Sequence, residues 1–190
     1  MKTILCCNSS YKDDVIKNWF NEKLEIEMEI ENIDIINESL PRQSIGEDTK
    51  LICLKKINDI KDKYINKQIN YIISLENFLE ILEDKIVYKL CICVYKYKSN
   101  KYVTEISEGI NLDIEVLNKF SKFILIIKDL KNSYINTHDK YIFNGCDKKL
   151  DEIIIKYYPN LEENNCIKNL KDSKYDNKDQ IEFLLEKVFT

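Results

Sequence analysis

Two glutamates that follow predicted strands are suited to hold a metal ion. Glu38 follows the alternating segment 24–36, and Glu76 follows the apolar run Tyr71–Leu75. Because the carboxyl ends of parallel strands meet at one edge of a sheet, we expect both carboxylates there. Carboxylate oxygens are ligands that Mg²⁺ prefers, and substrate phosphates complete its coordination. The alternative is a pair of glutamates on a solvated surface, in a chain with 33 acidic residues.

The segment after the first apolar run has residue types that bind phosphate. Asn8, Ser9 and Ser10 precede a predicted helix, and Lys12 lies in its first turn. Free backbone N–H groups and the partial positive charge at a helix N-terminus favour an anion, and Lys12 adds a full charge. A serine-capped helix with a surface lysine would have the same sequence.

A second cluster of basic and hydroxyl side chains precedes the last predicted helix. It contains Lys171, Ser173, Lys174 and Tyr175. Lysine and hydroxyl groups at such a position can bind a phosphate or a base. Ordinary helix capping and solvent exposure are the alternative.

Several function classes lack their usual residues. The single histidine, His138, lies in a polar segment without the partners of a catalytic triad or a histidine metal site. Neither a Walker sequence nor G-x-G-x-x-G occurs, which argues against a P-loop ATPase and a Rossmann dehydrogenase. The seven cysteines form no C-x-x-C pair, so we expect buried reduced thiols rather than a zinc site.

Charge and hydropathy limit the partners and the location. The formal net charge is −4, with interspersed signs, so we expect no nucleic-acid partner. No apolar segment reaches the roughly 18–20 residues that span a bilayer, so we expect no membrane partner. The residues before Asn8 are too few for the apolar core of a signal peptide. We therefore predict a cytoplasmic protein.

The hydrophobic periodicity predicts an α/β fold, a mixed β-sheet flanked by helices, within one domain over residues 1–190. The predicted strands are 3–7, 24–36 and 70–75, followed by a hairpin of 86–97 and 101–107. The predicted helices are 11–23, 47–64, 115–127 and 178–188. The stretch 131–159 shows no clear pattern.

Five segments of the chain resemble, in the same order along the sequence, the inosine/xanthosine triphosphatases of the YjjX type, which have the ITPase/Maf-like fold. The Glu38–Thr49 loop is similar to the family's E-S-G-V-P-E-Q-P-x-G-x-E-E-T and is the most specific of them. The other similarities are Cys6–Lys12 to T-x-N-P-x-K, Ile72–Phe78 to V-x-I-E-A-G-I, Ser107–Leu112 to S-x-x-x-P-L-P and Lys171–Tyr175 to R-x-S-x-Y.

The resemblance implies a cleft between two lobes and Mg²⁺-dependent hydrolysis of ITP or XTP, with Mn²⁺ as a second candidate ion. It makes Glu38 and Glu76 the catalytic carboxylates and the metal ligands. It also implies that the phosphates and the rest of the substrate contact Asn8, Ser9, Ser10, Lys12, Asn77 and Lys171. A purine nucleoside triphosphate is the implied partner, and homodimers are common in such families.

Four positions depart from the family pattern. Ser9 replaces a proline, and Lys171 replaces an arginine and its bidentate fork. Asn77 and Phe78 replace Ala-Gly, so we expect Phe78 to narrow the approach of a substrate. A second hypothesis is therefore a nucleotide-binding or protein-interaction module without catalysis on the same fold. A third is a small structural protein whose resemblance is accidental.

Overall fold

The computed structural model describes residues 1–7, 9–35, 43–46, 48–65, 67–82, 86–111, 134–136, 144–146, 156 and 177–190. The strands of this part are β1 (Lys2–Leu5), β2 (Glu29–Asn32), β3 (Gln43–Ile45), β4 (Tyr71–Ile81), β5 (Ile86–Lys96), β6 (Lys101–Ile106), β7 (Ile110–Asn111), β8 (Tyr134–Asn136) and β9 (Asn144–Cys146). The helices are α1 (Ser10–Leu24), α2 (Thr49–Lys61) with a 3₁₀ turn at Asp62–Tyr64, and α3 (Asn177–Phe189).

Strand β4 lies at the centre of one mixed sheet. It runs parallel to β1 and β3 on one side and antiparallel to β5 on the other. Outward from β1 the sheet continues with parallel β2, and outward from β3 with antiparallel β9 and then β8. Strand β5 pairs with β6 and β7. The predicted α/β fold with a mixed sheet flanked by helices is confirmed.

Helices α1 and α3 cover one face of the sheet. Ser9 is the N-cap of α1, and the spacing of Val15, Ile16, Trp19 and Phe20 puts all four on the buried side of the helix. Phe189 of α3 stacks edge-on against Phe20, with 4.7 Å between ring centroids. The carboxyl ends of the two helices therefore meet, and their amino ends point to the same end of the sheet.

Helix α2 covers the opposite face. Its buried residues Cys53, Ile57 and Ile60 pack with apolar side chains of β1, β4 and β5, and Ile52 is also buried. The predicted thiol environment is confirmed for the five cysteines whose side chains are described: all are free, Cys7 is partly buried and the other four are fully buried.

Two predicted strands have the wrong bounds. The segment 24–36 contributes only the four-residue edge strand β2, because α1 extends to Leu24 and Glu25 closes it with a left-handed backbone (φ 54°). Strand β4 continues six residues past Leu75, so Glu76 lies within a strand and not at its end.

Helices α1 and α3 have nearly the predicted bounds, and so does the hairpin of β5 and β6. Asn100 takes a positive φ of 54° in the turn between β5 and β6. The predicted helix 115–127 and most of the stretch 131–159 lie outside the described residues. Within the described part, no helix is both long enough and apolar enough to cross a bilayer.

Candidate functional site

The parallel neighbours of β4 leave a gap beside its middle. Strand β1 pairs with Tyr71–Ile73, and β3 pairs with Phe78–Leu79. The residues between these two pairings are Ser74–Asn77, which we call the sheet gap. The chain leaves β1 here, since the Cys6 N–H donates to the Ile73 carbonyl at 2.8 Å and the next residues lead to α1. Such a break between neighbouring strands is a typical place for a ligand site.

Lys12 reaches into the sheet gap from the first turn of α1. Its Nζ donates to the Leu75 carbonyl oxygen at 3.2 Å, and the side chain is partly buried. The capping Ser9 Oγ accepts a hydrogen bond from the Lys12 backbone N–H at 3.4 Å. Ser10 is the exposed first residue of the helix. The amino end of α1 and a lysine charge thus lie beside the middle of β4.

Lys56 of α2 approaches the same stretch of β4 from the other face. Its Nζ lies 2.5 Å from Oε1 of Glu76, and the two side chains are only 16% and 18% exposed. Burial lowers the pKa of Lys56, but the nearby Glu76 carboxylate outweighs burial, so the pKa is raised. Lys56 therefore keeps its charge at neutral pH and forms an ion pair with Glu76.

Cys7 lies within the electrostatic reach of these groups. Burial raises the pKa of the Cys7 thiol, and the positive charges of Lys12 and Lys56 only partly oppose that effect. Burial also raises the pKa of Cys6. A protonated thiol is a poor nucleophile, so neither cysteine is suited to covalent catalysis.

The described residues contain only part of the predicted site. Ser9, Ser10, Lys12 and Glu76 lie at the sheet gap or at the helix end beside it, whereas Asn8, Glu38 and Lys171 lie outside the described residues. The meeting of the Glu38 and Glu76 carboxylates therefore stays a prediction.

Asn77 and Phe78 point to opposite faces of β4, as neighbours in a strand do. The Oδ1 atom of Asn77 is buried and has no hydrogen-bond partner within the described part of the chain. The Phe78 ring is fully buried in the core under α2. It therefore fills the protein interior on the α2 side, and its effect on a substrate path stays a prediction.

Lys56 is not among the residues predicted for the site, although the sequence carries a signal for it. Thr49, Ile52, Cys53, Ile57 and Ile60 form the buried stripe of α2, and position 56 falls on that stripe. A lysine on an otherwise buried stripe needs a partner of opposite charge, because an unpaired buried charge is costly. Glu76 is that partner.

The donor set at Glu76 fits one part of a magnesium site. Mg²⁺ is often bound by one or two carboxylates together with phosphate oxygens, and Glu76 supplies one carboxylate. Among the described residues there is no group of three or more His, Cys, Asp or Glu side chains placed to hold a metal. A metal at Glu76 would therefore need oxygens from a ligand or from other parts of the chain.

No protein-family model and no curated protein matches this chain. Among solved structures, the crystal structure of protein VC0702 from Vibrio cholerae is similar to it. The TM-score is 0.61 at 15% sequence identity, over 97% of this chain and 89% of that one. At this identity the likeness shows the fold alone: an α/β protein with a mixed sheet flanked by helices.

Proposed function

We propose that this chain hydrolyses nucleoside triphosphates with non-standard purine bases, ITP and XTP, with Mg²⁺ or Mn²⁺ as the metal. The fold that goes with this proposal is the ITPase/Maf-like one, with a cleft between two lobes. The observation that carries the proposal is that Lys12 reaches the sheet gap from the α1 side while the Lys56–Glu76 pair lies at the same stretch of β4 on the α2 side. The family resemblance of the surrounding segments supplies the substrate class.

The positive groups at the sheet gap suit a triphosphate. The amino end of α1 and the Lys12 ammonium together attract phosphate oxygens. Lys56 can share its charge between Glu76 and a phosphate, because an ammonium group has three donors. In the proposed complex, Asn8, Ser9, Ser10, Asn77 and Lys171 also contact the substrate.

Glu76 is the proposed metal ligand among the described residues, with Glu38 as the second. When bound there, Mg²⁺ would neutralise phosphate charge and lower the pKa of a bound water. The task of Lys56 in this scheme is to hold the Glu76 carboxylate in place before the ligand arrives.

The experiment is a hydrolysis assay with ITP, XTP, ATP and GTP in the presence of Mg²⁺, in which phosphate and pyrophosphate are measured separately. We expect faster release from ITP and XTP than from ATP and GTP, and none after chelation of the metal. Folded protein that binds ITP with Mg²⁺ but releases neither product would contradict the hydrolase proposal.

The closeness of Lys56 and Glu76 favours a second candidate, a nucleotide-binding module without catalysis. A carboxylate with a lysine 2.5 Å away already has a counterion and does not require a metal. Calorimetry separates the two candidates. Equal ITP affinity with and without Mg²⁺, and no product, would support the module, whereas metal-dependent affinity with product release would support the enzyme.

A further inference from the structure

Strand β6 is the longest strand of the sheet whose outer edge is unpaired within the described residues. It pairs with β5 alone and is six residues long. The other strands with a single neighbour are β2, β7 and β8, which have four, two and three residues. An edge strand presents N–H and C=O groups to which another strand can bond, so the edge of β6 is a template for pairing.

The hydrogen bonds at the end of β6 show which of its backbone groups point outward. The N–H of Ser107, directly after the strand, donates to the Leu90 carbonyl of β5 at 2.9 Å. Inward and outward backbone groups alternate along an antiparallel strand. The N–H and C=O groups that point away from β5 therefore belong to Tyr102, Thr104 and Ile106.

Two opposite charges on β6 have no ion-pair partner within the part of the chain that the structure describes. They are Lys101, at the start of the strand, and Glu105. Side-chain alternation puts both on the same face as Val103, but about 13 Å of strand keeps them apart. Lys101 also lies opposite Lys96 of β5, and like charges that are directly opposite destabilise a sheet.

A second copy of β6 in antiparallel orientation would satisfy these backbone groups and these charges together. With Val103 of the two copies opposite each other, the outward groups of Tyr102 meet those of Thr104. In the same register Lys101 lies opposite Glu105 of the second copy. Each of these pairs occurs twice, because a two-fold axis passes between the two Val103 residues. A shift of two residues in either direction would separate the opposite charges.

The side chain of Tyr102 is already fixed in the single chain. Its hydroxyl donates to Asn58 Oδ1 at 2.6 Å and accepts a hydrogen bond from Lys61 Nζ at 2.9 Å. The residue is nevertheless 36% exposed. In this register it lies opposite Thr104 of the second copy, and aromatic and β-branched residues are favourable cross-strand pairs. Little side-chain freedom is therefore lost at Tyr102 when the strands pair.

The opposite edge of the sheet lacks this self-complementarity. If two copies of β2 paired in antiparallel orientation about Ile30, Glu29 would lie opposite Glu31. Both glutamates are at least partly exposed, and like charges at directly opposite positions repel. Charged side chains on a short edge strand are a common protection against such pairing. Self-association therefore favours β6 over β2.

We infer that two copies of this chain join through the outer edges of β6, in antiparallel register about Val103, and form one continuous sheet. A second copy is the occupant because the charges and the outward backbone groups of the strand are complementary to themselves. A single pair of six-residue strands is a small contact, so we expect a weak dimer with a dissociation constant of about 10–100 μM. The dimer uses no residue of the sheet gap, and the proposed hydrolysis can fail or hold independently of it.

Amide hydrogen exchange measured by NMR tests this contact. Between about 10 μM and about 1 mM protein, we expect exchange of the Tyr102 and Thr104 N–H groups to slow, because these two bond across the axis. The Ile106 N–H should exchange at the same rate at both concentrations, and the Val103 N–H should be protected at both. Sedimentation that shows a monomer throughout would leave the edge to a strand of another protein and overturn the inference. A dimer without slower exchange at Tyr102 and Thr104 would overturn it as well.

Charge-exchange variants test the register. Lys101→Glu and Glu105→Lys each place like charges opposite each other across the axis, and we expect each to weaken dimerisation by about tenfold. The double variant Lys101→Glu/Glu105→Lys restores opposite charges and should return the affinity to within about twofold of wild type. Lys63→Glu makes the same charge change at an exposed residue of the 3₁₀ turn after α2, and it should have less than about a twofold effect. Single variants that dimerise like wild type, or a double variant as weak as the single ones, would overturn the assigned register.

Discussion

Oε1 of Glu76 lies 2.5 Å from Nζ of Lys56, and four residues along β4 Oε2 of Glu80 lies 2.8 Å from Nζ of Lys89. Both glutamates point to the same face of the strand, since side chains alternate along it. The side chains of both ion pairs are mostly shielded from water, but only the Lys56–Glu76 pair lies at the sheet gap. The chain thus contains a matched control for the site.

Replacement of Glu76 by glutamine removes the proposed metal ligand. We expect kcat for Mg²⁺-dependent ITP hydrolysis to fall by about 100-fold or more. Loss of a residue that only hydrogen-bonds to a metal ligand costs about 10–100-fold in activity, and loss of the ligand itself should cost at least as much. Steady-state kinetics with quantified product measures the loss.

Glu80→Gln is the control for that loss. It breaks a comparable ion pair on the same strand, and we expect it to change kcat less than about twofold, as an ion pair remote from the chemistry should. Equal losses of activity in the two variants would assign the effect to the strand and not to the site.

Replacement of Lys56 by methionine leaves the Glu76 carboxylate mostly buried without a counterion. We expect the free energy of unfolding to fall by about 2 kcal/mol. The melting temperature would then fall by about 4–8 °C. The double variant Lys56→Met/Glu76→Leu should recover part of this loss, because it removes both charges. A double variant less stable than Lys56→Met would show that the lone carboxylate is not the cause.

The stability contributed by Lys56 should depend on pH in the alkaline range. Its pKa is raised above 10.5 in the folded protein, so the contribution is fully present below the pKa of the unfolded state. It is lost as the pH rises through the folded-state pKa. We expect the difference in unfolding free energy between wild type and Lys56→Met to be constant from neutral pH to about pH 10, and to shrink above it. Urea denaturation at several pH values measures it, and a difference that grew above pH 10 would contradict the assigned cause.

The two glycines with positive φ should respond differently to alanine. A Cβ at Gly109 meets side-chain atoms at 2.5 and 2.7 Å, whereas a Cβ at Gly46 (φ +77°) meets nothing within 4 Å. Both variants carry backbone strain of about 1 kcal/mol, and Gly109→Ala adds overpacking of about 1–3 kcal/mol. Thermal unfolding of Gly46→Ala and Gly109→Ala separates the cost of backbone strain from the cost of overpacking. Equal losses would show that the contacts at Gly109 relax at no cost.

Thiol labelling should distinguish Cys7 from its buried neighbours. Cys7 is partly buried, while Cys6, Cys53, Cys91 and Cys93 are fully buried. Among these five cysteines we expect a maleimide to label Cys7 first in native protein, and slowly, because burial raises the pKa of its thiol. Peptide mapping by mass spectrometry identifies the labelled site. Under the proposed function ITP should slow the labelling of Cys7, and faster labelling of Cys53 would contradict the described burial.

The helices and the hairpin were predictable because their signals are local. Ser9 before α1, the apolar spacing along the helices, and Ser99-Asn100 between two apolar runs each act over a few residues. The bounds of β4 were not predictable in this way. Glu76 was predicted to follow the strand, but both Glu76 and Glu80 lie within it, each in an ion pair with a lysine of α2 or β5.

The candidate site was predictable only in part, because some of its contacts join residues far apart in the sequence. Lys12 and Glu76 belong to segments with recognisable sequence patterns. Lys56 meets Glu76 through tertiary packing, across 20 residues of sequence. Local sequence patterns do not reveal such a pair. The only local sign is a charged residue on the buried stripe of a helix, which indicates a partner of opposite charge elsewhere in the chain.

Phe189 stacks against Phe20 of α1 and against Tyr71 at the start of β4. A nascent chain therefore cannot complete this layer of the core on the ribosome until residue 189 has emerged, although α1 is made early. Contacts of such long sequence separation slow folding, so the apolar stripe of α1 is without this partner for most of synthesis.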